Sequence, residues 1–319
     1  MGKLHEISVH MRNEGEAMSF YVCIDIGGTA IKYGLAEENG VLAERGERPA
    51  LAREEGGEGI LRKVIEIVRG YQASHEPVKG IAIDTPGIVD ARDGSIVFAA
   101  NIPDYSGMKL QARVTEACGI PCIVENDVNA AIAGEYWKGA GKGAETLFMI
   151  TVGTGVGGAF LWNGNVLHGA SHAAGEVGFL RLHGEKRIFE DIGSTRALVE
   201  QVAVAHHVSP AALDGREVFR MAEDGDEAAI AAIHEFAANL AEGIAQVCCL
   251  LNPEVIVLGG GVSEQKKWLK ASLQSNVEEM VVPSMRANTR IEFAELGNDA
   301  GMIGALYLLL QRMKETERV

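Results

Sequence analysis

At 319 residues with a formal net charge of −15, the chain can form one very large or two medium domains with ample core. The charge argues against a nucleic-acid or anionic-membrane surface, while leaving room for a locally basic phosphate pocket. Hydrophobic residues at 47% and charged residues at 23% fit a soluble globular enzyme, and 39 glycines point to several loops in which backbone approaches a ligand.

Residues 1–17 are polar and unpatterned, and Met18 directly precedes Ser-Phe-Tyr-Val, so a disordered extension or an upstream start is expected there. The apolar run Tyr21–Ile24 reads as a buried strand. It delivers Asp25-Ile-Gly27-Gly28-Thr29-Ala-Ile-Lys32 to a tight turn. Glycines let backbone N–H groups approach phosphate, Thr29 adds a hydroxyl donor, and Asp25 can hold Mg²⁺ through water. A plain β-turn is the blander reading of so short a motif. Ile31–Ala36, Asn39-Gly40 and Val41–Ala43 then read as strand, hairpin turn and strand.

Ile60, Leu61, Val64, Ile67, Val68 and Tyr71 recur at helical spacing, and Gly80–Ile83 reads as a strand ending in the loop Asp84-Thr-Pro-Gly87. Ile120–Val124 is another strand, feeding Glu125-Asn126-Asp127 and an alanine-rich helix through Tyr136. A side chain placed where a strand ends and a helix begins projects into a cleft. Asp127 is therefore the candidate to accept the proton of an attacking hydroxyl. Helix capping by Asn126 or Asp127 is the structural alternative.

After the apolar strand Leu147–Ile150 comes a second glycine turn, Thr151-Val-Gly153-Thr154-Gly155-Val-Gly-Gly158. A dinucleotide fingerprint would have to open a helix. Here Ala159–Trp162, Asn163-Gly164 and Asn165–Leu167 follow, again strand, hairpin turn and strand. A nicotinamide oxidoreductase fails on that context. The shared order marks an internal duplication rather than a solenoid repeat. It predicts two related domains, 18–124 and 125–319, facing each other across a nucleotide cleft. Glu227–Leu251 is a long helix stopping before Asn252-Pro253, and Val255–Leu258 is a strand entering Gly259-Gly260-Gly261. A last helix starts near Asp299 and runs through Leu310. No run reaches membrane-spanning length, and the odd set of cysteines (23, 118, 122, 248 and 249) reads as buried free thiols in a reducing cytoplasm.

These motifs together resemble the sugar kinase/actin/heat-shock-70 ATPase superfamily and, more narrowly, the ROK family (repressors, open reading frames and sugar kinases). The resemblance implies an α/β fold of two actin-like (ribonuclease H-like) domains around an ATP and sugar cleft, with the final helix, about 299–315, packing back on the first domain. Glu125-Asn-Asp-x-Asn-Ala-Ala is similar to the family's catalytic segment, which makes Asp127 the general base and gives Asn126 sugar hydroxyls. Further implied sugar contacts are Gly87, Asn101, Glu176 in Ala174-Gly-Glu-Val-Gly178, and Glu190 in Ile188-Phe-Glu190. Read without the family, each is more often a solvated polar residue. The phosphates are expected between Gly27-Gly28-Thr29 and Gly153-Thr154-Gly155, with Gly259, Gly260 and Gly261 toward the adenosine. Lys32 lies further from them than a Walker lysine would, and no Gly-x-x-x-x-Gly-Lys-[Ser/Thr] occurs.

The departures bear on substrate and metal. Where most ROK kinases carry a histidine after the Gly-Glu-x-Gly motif, this chain has Phe179, and their Cys-x-Cys-Gly…Cys zinc site is replaced by Arg181-Leu-His183-Gly-Glu-Lys-Arg-Ile188. His183 alone cannot supply a four-ligand site, so no structural zinc is expected. An aromatic at 179 suits a sugar face or a glycoside substituent. The expectation is a cytoplasmic ATP- and Mg²⁺-dependent kinase of a hexose 6-hydroxyl, on glucose or a β-glucoside, with homodimerisation open. An N-acetylmannosamine kinase and a non-catalytic sugar sensor are the alternatives. A DNA-binding repressor would need a winged-helix domain ahead of the first phosphate strand, where residues 1–19 are too few.

Overall fold

The computed structural model describes residues 19–75, 77–182 and 187–317. The expected extension over 1–17 and His183 lie outside the described residues. The first half runs β1 (Phe20–Ile26), β2 (Ala30–Glu37), β3 (Leu42–Pro49), α1 (Ala52–Ser74), β4 (Val78–Thr85), a short β5–β6 ribbon (Ile88–Asp90, Ser95–Phe98), α2 (Leu110–Cys118) and β7 (Cys122–Asn126). After α3 (Asp127–Lys138) come β8 (Thr146–Val152), β9 (Val156–Trp162), β10 (Asn165–Val166), α4 (Phe189–Gly193), α5 (Thr195–Ala205), α6 (Gly215–Glu223) and α7 (Glu227–Leu251). The chain closes with β11 (Val255–Gly260), α8 (Lys266–Met280), α9 (Pro283–Arg286), β12 (Arg290–Phe293) and α10 (Ala300–Glu317).

The strands form two five-stranded sheets, ordered β3-β2-β1-β4-β7 and β10-β9-β8-β11-β12. In each, a meander of three antiparallel strands is extended by two parallel ones. The order is the same in both, which is the duplication seen in the glycine turns. Asn163 and Gly164 both take positive φ, 48° and 78°, the geometry an Asn-Gly hairpin turn requires.

Side chains alternate across the first sheet as the strand period demands. Val22, Ile24, Ile81 and Ile83 pack on Ile60, Val64 and Val68 of α1 and Val114 of α2. Tyr21, Cys23, Ala82 and Ile123 face Met302, Leu306 and Leu309 of α10 on the other side. In the second sheet Phe148, Ile150, Ile256 and Leu258 meet Phe236 and Leu240 of α7, and Leu147, Met149, Val255 and Val257 meet Ile132 and Ala133 of α3. Helices α3 and α10 therefore fill the space between the sheets. Gly134 and Gly304 let them touch backbone to backbone, since a Cβ on Gly304 would collide with the Ala130 carbonyl.

Several expectations need adjusting. The boundary between 124 and 125 falls inside β7, where Glu125 and Asn126 pair with Asp84 and Thr85 of the first sheet. Helix α1 starts eight residues before the apolar periodicity, at Ala52, and is interrupted at Gly56 (φ 61°, ψ −164°). Of the cysteines, all free, Cys249 is exposed and Cys118 half-buried rather than buried. No helix among the described residues is long and apolar enough to cross a membrane.

Candidate active site

Each meander presents its first turn at the same end of its sheet. In the turn between β1 and β2, Gly27 N–H donates to Ala30 O at 2.9 Å, closing the loop tightly. Gly28 has nothing within 4 Å of the place a Cβ would occupy, and Gly28 and Thr29 are exposed. In the turn between β8 and β9, Gly153 N–H donates to Gly155 O at 2.9 Å, and Thr195 N–H donates to Gly153 O at 2.8 Å, bringing the start of α5 to the turn. Accessible backbone at such glycine turns is suited to anionic oxygens.

Beside the second turn lies a cavity of about 640 Å³ whose lining includes Gly153, Thr154, Thr195, Val199, Pro210, Leu213, Phe219 and Gly261. A slot with apolar walls next to a polar turn fits a nucleoside with its phosphates at the turn. The sequence reading missed the residues of α5, α6 and the loop between them, because they carry no motif. Of the glycine triplet only Gly261 lines the cavity. Gly259 and Gly260 extend β11 along Thr151 and Val152 of β8, and a Cβ at either would run into the neighbouring strand. The lack of room for a side chain is what fixes glycine at both positions.

Carboxylates collect where β1, β4 and β7 end. The register sets Asp25 beside Asp84, and Asp84 beside Glu125. Asp25 also pairs across the hairpin with Lys32, whose Nζ is 3.8 Å from its Oδ2. Burial raises the Asp25 pKa, opposed by the Lys32 charge and by a hydrogen bond with Asp84. Asp84 is 1% exposed, and burial, then the charges of Asp25 and Asp127, push its pKa well up. Its Oδ2 is buried with no hydrogen-bond partner. The arrangement is that of a neutral acid donating to Asp25. Its side chain lies against Gly301, in the first turn of α10.

Asn126 caps α3: its Oδ1 accepts from Val128 N–H and Asn129 N–H, at 3.0 and 3.1 Å. Its Nδ2 donates to Gly87 O (2.9 Å) and to Asp127 Oδ1 (3.0 Å). Both ends of the amide are thus engaged, capping α3 and positioning Asp127. Asp127 Oδ1 also accepts from Val128 N–H at 2.9 Å. Burial raises its pKa to about 6, with the Val128 hydrogen bond opposing and the charges of Asp25 and Glu176 adding to the rise. Those two charges reach it from opposite lobes. Behind it, Glu125 accepts from Asn126 N–H (2.8 Å) and Asn129 Nδ2 (3.1 Å) and meets His168 Nε2 at 2.8 Å, a contact that raises the His168 pKa. Glu125 and His168 were not singled out in the sequence; forty-three residues apart, they are joined only by the fold.

The other expected sugar residues are spread around this point. Gly87 takes φ +103° with Phe98 O and Ala99 closing over it, so a side chain there is excluded. Asn101 is exposed and lines a second cavity of about 470 Å³ together with Gly28 and Thr29. Glu176 has its pKa raised by partial burial and by the charge of Glu190. Glu190 Oε2 accepts from Val156 N–H at 3.1 Å, so one of its oxygens supports the second glycine turn. Phe179 is 71% exposed, which excludes a core role for its ring. Among the described residues no group of three or more His, Cys, Asp or Glu is placed to hold a metal ion.

A duplicated sheet order, two glycine turns and a carboxylate cluster at the strand ends define a two-lobed α/β protein with an anion-binding cleft. Comparison with known proteins narrows this. The ROK family matches residues 21–312. A glucokinase of Halalkalibacterium halodurans is 34% identical, covering 94% of this chain and 97% of that protein. A beta-glucoside kinase of Klebsiella pneumoniae is 28% identical, covering 89% and 93%. The crystal structure of a ROK family glucokinase from Streptomyces griseus in complex with glucose and AMPPNP superposes with a TM-score of 0.78 at 29% identity, covering 92% of this chain and 99% of that one. The chain belongs to the ROK family.

Proposed function

We propose that this ATP-dependent sugar kinase transfers the γ-phosphoryl group of ATP to the primary 6-hydroxyl of glucose or of a β-glucoside, with Asp127 as general base. The observation that carries the reading is Asp127 itself. Its Oδ1 is fixed by Asn126 and Val128, and its pKa, raised to about 6, suits a base working near neutrality. In the reaction the hydroxyl oxygen forms a bond to the γ-phosphorus and the bridging bond to the β-phosphate breaks. ADP leaves with the bonding pair and Asp127 takes the hydroxyl proton.

The phosphates would lie between the turns at 27–29 and 153–155, the nucleoside in the cavity beside Thr195 and Gly261, and the sugar among Asn101, Asp127, Glu176 and Glu190. Asp25, a half-buried carboxylate with hard oxygen donors, fits a magnesium ion held through water and the phosphates. Mg²⁺ bound there would neutralise developing charge on the phosphate oxygens. The absence of cysteine over 181–188 supports a site without structural zinc, and five unpaired cysteines support a cytoplasmic location. Closure of the lobes would keep water from competing as acceptor. The exposed Phe179 ring, two residues beyond Val177 and close in sequence to Glu176, favours a glycoside or second ring over a bare hexose.

The test is a sugar panel in a coupled ADP-release assay. Glucose or a β-glucoside should drive ATP turnover at least tenfold above the sugar-free rate. A clear preference for N-acetylmannosamine would overturn the glucose assignment and keep the kinase. No sugar-dependent turnover, with sugar binding retained, would make the protein a sensor.

A further inference from the structure

The segment 50–57 runs along the cleft between the first phosphate turn and the sugar loop, and it is tied to both. Ala50 N–H donates to Thr29 O at 2.8 Å, and Gly57 N–H donates to Pro103 O at 2.9 Å, two residues beyond Asn101. A buried lysine fixes it from below: Lys63 Nζ donates to Ala50 O at 2.7 Å and pairs with Glu55 at 3.1 Å. Leu51 is held at φ 50°, a left-handed conformation that a leucine adopts only under constraint. The segment carries one cation, Arg53, which is exposed and lines the 470 Å³ cavity with Gly28, Thr29 and Asn101.

Arg53 stands apart from the other arginines of this half. Arg45, Arg48, Arg62, Arg92 and Arg113 each have a carboxylate partner, and Arg69 donates to the Ala117 carbonyl. Arg53 makes no hydrogen bond or ion pair with any described residue. In a chain of net charge −15, an exposed guanidinium that no described side chain engages can meet an anionic ligand, although Glu54 lines the same cavity. Its cavity is bounded on one side by the turn expected to hold phosphate and on the other by the residue expected to hold sugar.

We propose that Arg53 contacts the phosphoryl group in flight between ATP and the sugar hydroxyl, and stabilises the charge spread over its equatorial oxygens. The inference rests on the kinase reading given above. Arg53 neither gains nor loses a proton; Asp127 takes the proton and ADP takes the bonding pair. The other cation near the turn, Lys32, is paired with Asp25, whereas Arg53 forms no ion pair with a described residue.

The experiment compares wild type, Arg53→Ala and Arg53→Lys with ATP and whichever panel sugar the wild type uses. A wild type without sugar-dependent turnover refutes the kinase reading itself, before any variant is made. With an active wild type, Arg53→Ala should lower kcat roughly 10²- to 10³-fold while KM for sugar stays within about threefold. Arg53→Lys should fall between the two, and guanidinium chloride should partly restore Arg53→Ala. Melting temperatures should coincide, because the side chain is exposed. Unchanged kcat overturns the proposal, as does a raised KM for sugar alone, which would make Arg53 a sugar contact. A raised KM for ATP with kcat intact would make it a ground-state nucleotide contact and overturn it equally.

Discussion

The two halves share one strand order but use the ends of their sheets differently. The first sheet brings Asp25, Asp84 and Glu125 side by side on β1, β4 and β7, with Asp127 one residue past β7. At the corresponding positions the second sheet has Thr151 beside Gly259. Acids gather on one side, small and neutral groups on the other. The difference extends to the turns. Gly28 stands open, whereas the turn at Gly155 is backed by the Glu190 carboxylate, 2.5 Å from the place a Cβ would occupy. Duplication supplies two matched glycine turns, and under the proposed reading divergence leaves proton chemistry to the first lobe and nucleotide grip to the second.

The strongest way to break that division is at Asp127. Asp127→Asn should lower kcat by roughly 10² to 10⁴ while sugar affinity, from titration calorimetry, changes far less. Asn keeps the acceptor for Val128 N–H, so the fold should survive. Turnover within about tenfold of wild type would remove the base from this position. The same residue sets a pH limb. Its pKa is raised to about 6, and the base works ionised, so kcat should be level above that value. Below it kcat should fall by about tenfold per pH unit. The limb should be missing from the residual activity of the Asn variant. A wild-type rate that stays flat down to pH 4.5 or so would contradict the assignment.

The two turns can be compared by the same small substitution. Gly28→Ala places a methyl in open space and should leave the melting temperature unchanged while crowding a phosphate. A rise of about tenfold in KM for ATP, with KM for sugar unaffected, is the expected result. Gly155→Ala must displace the Glu190 carboxylate and loosen its bond to Val156 N–H. It should therefore raise KM for both substrates. Identical profiles for the two variants would mean that Glu190 serves only the turn.

What could be read in the sequence was what is local. Strand, glycine turn, strand and Asn-Gly hairpin follow one another within some twenty residues, so the duplicated meanders and the α/β class were legible. So was α7, whose ends at Glu227 and Leu251 are set by a cap and a proline. The site was legible only where a motif marks it. Asp84 was read as part of a loop, since nothing in its neighbourhood places it beside Asp25; that follows from the register of β1 against β4. The nucleoside-sized cavity draws on α5, α6 and the start of the loop after β11, segments without shared pattern. For Asn126 the sequence leaves two roles open, because a cap and a hydroxyl ligand use the same side chain; the hydrogen bonds to Val128 and Asn129 N–H show the cap.

The smallest expected effect tests the acid pair that distinguishes the first lobe from the second. Asp84 is buried, its pKa is raised well above the usual carboxylate range, and it is hydrogen-bonded to Asp25. A carboxyl whose folded pKa lies above its unfolded value stabilises the fold fully below the unfolded pKa, and that contribution is lost as pH rises toward the folded one. Near neutrality the unfolded chain ionises this group freely in water, and the folded chain cannot, so folding is penalised. Asp84→Asn removes the penalty and keeps the shape, because the amide can donate to Asp25 as the neutral acid does. In ligand-free protein with chelator present, the variant should melt a few degrees above wild type at pH 7 to 8, near-equal to it around pH 4. Its advantage should grow steadily between those limits. A variant less stable than wild type at high pH would mean that the ionised carboxylate is stabilised where it stands, and the neutral-acid assignment would fall.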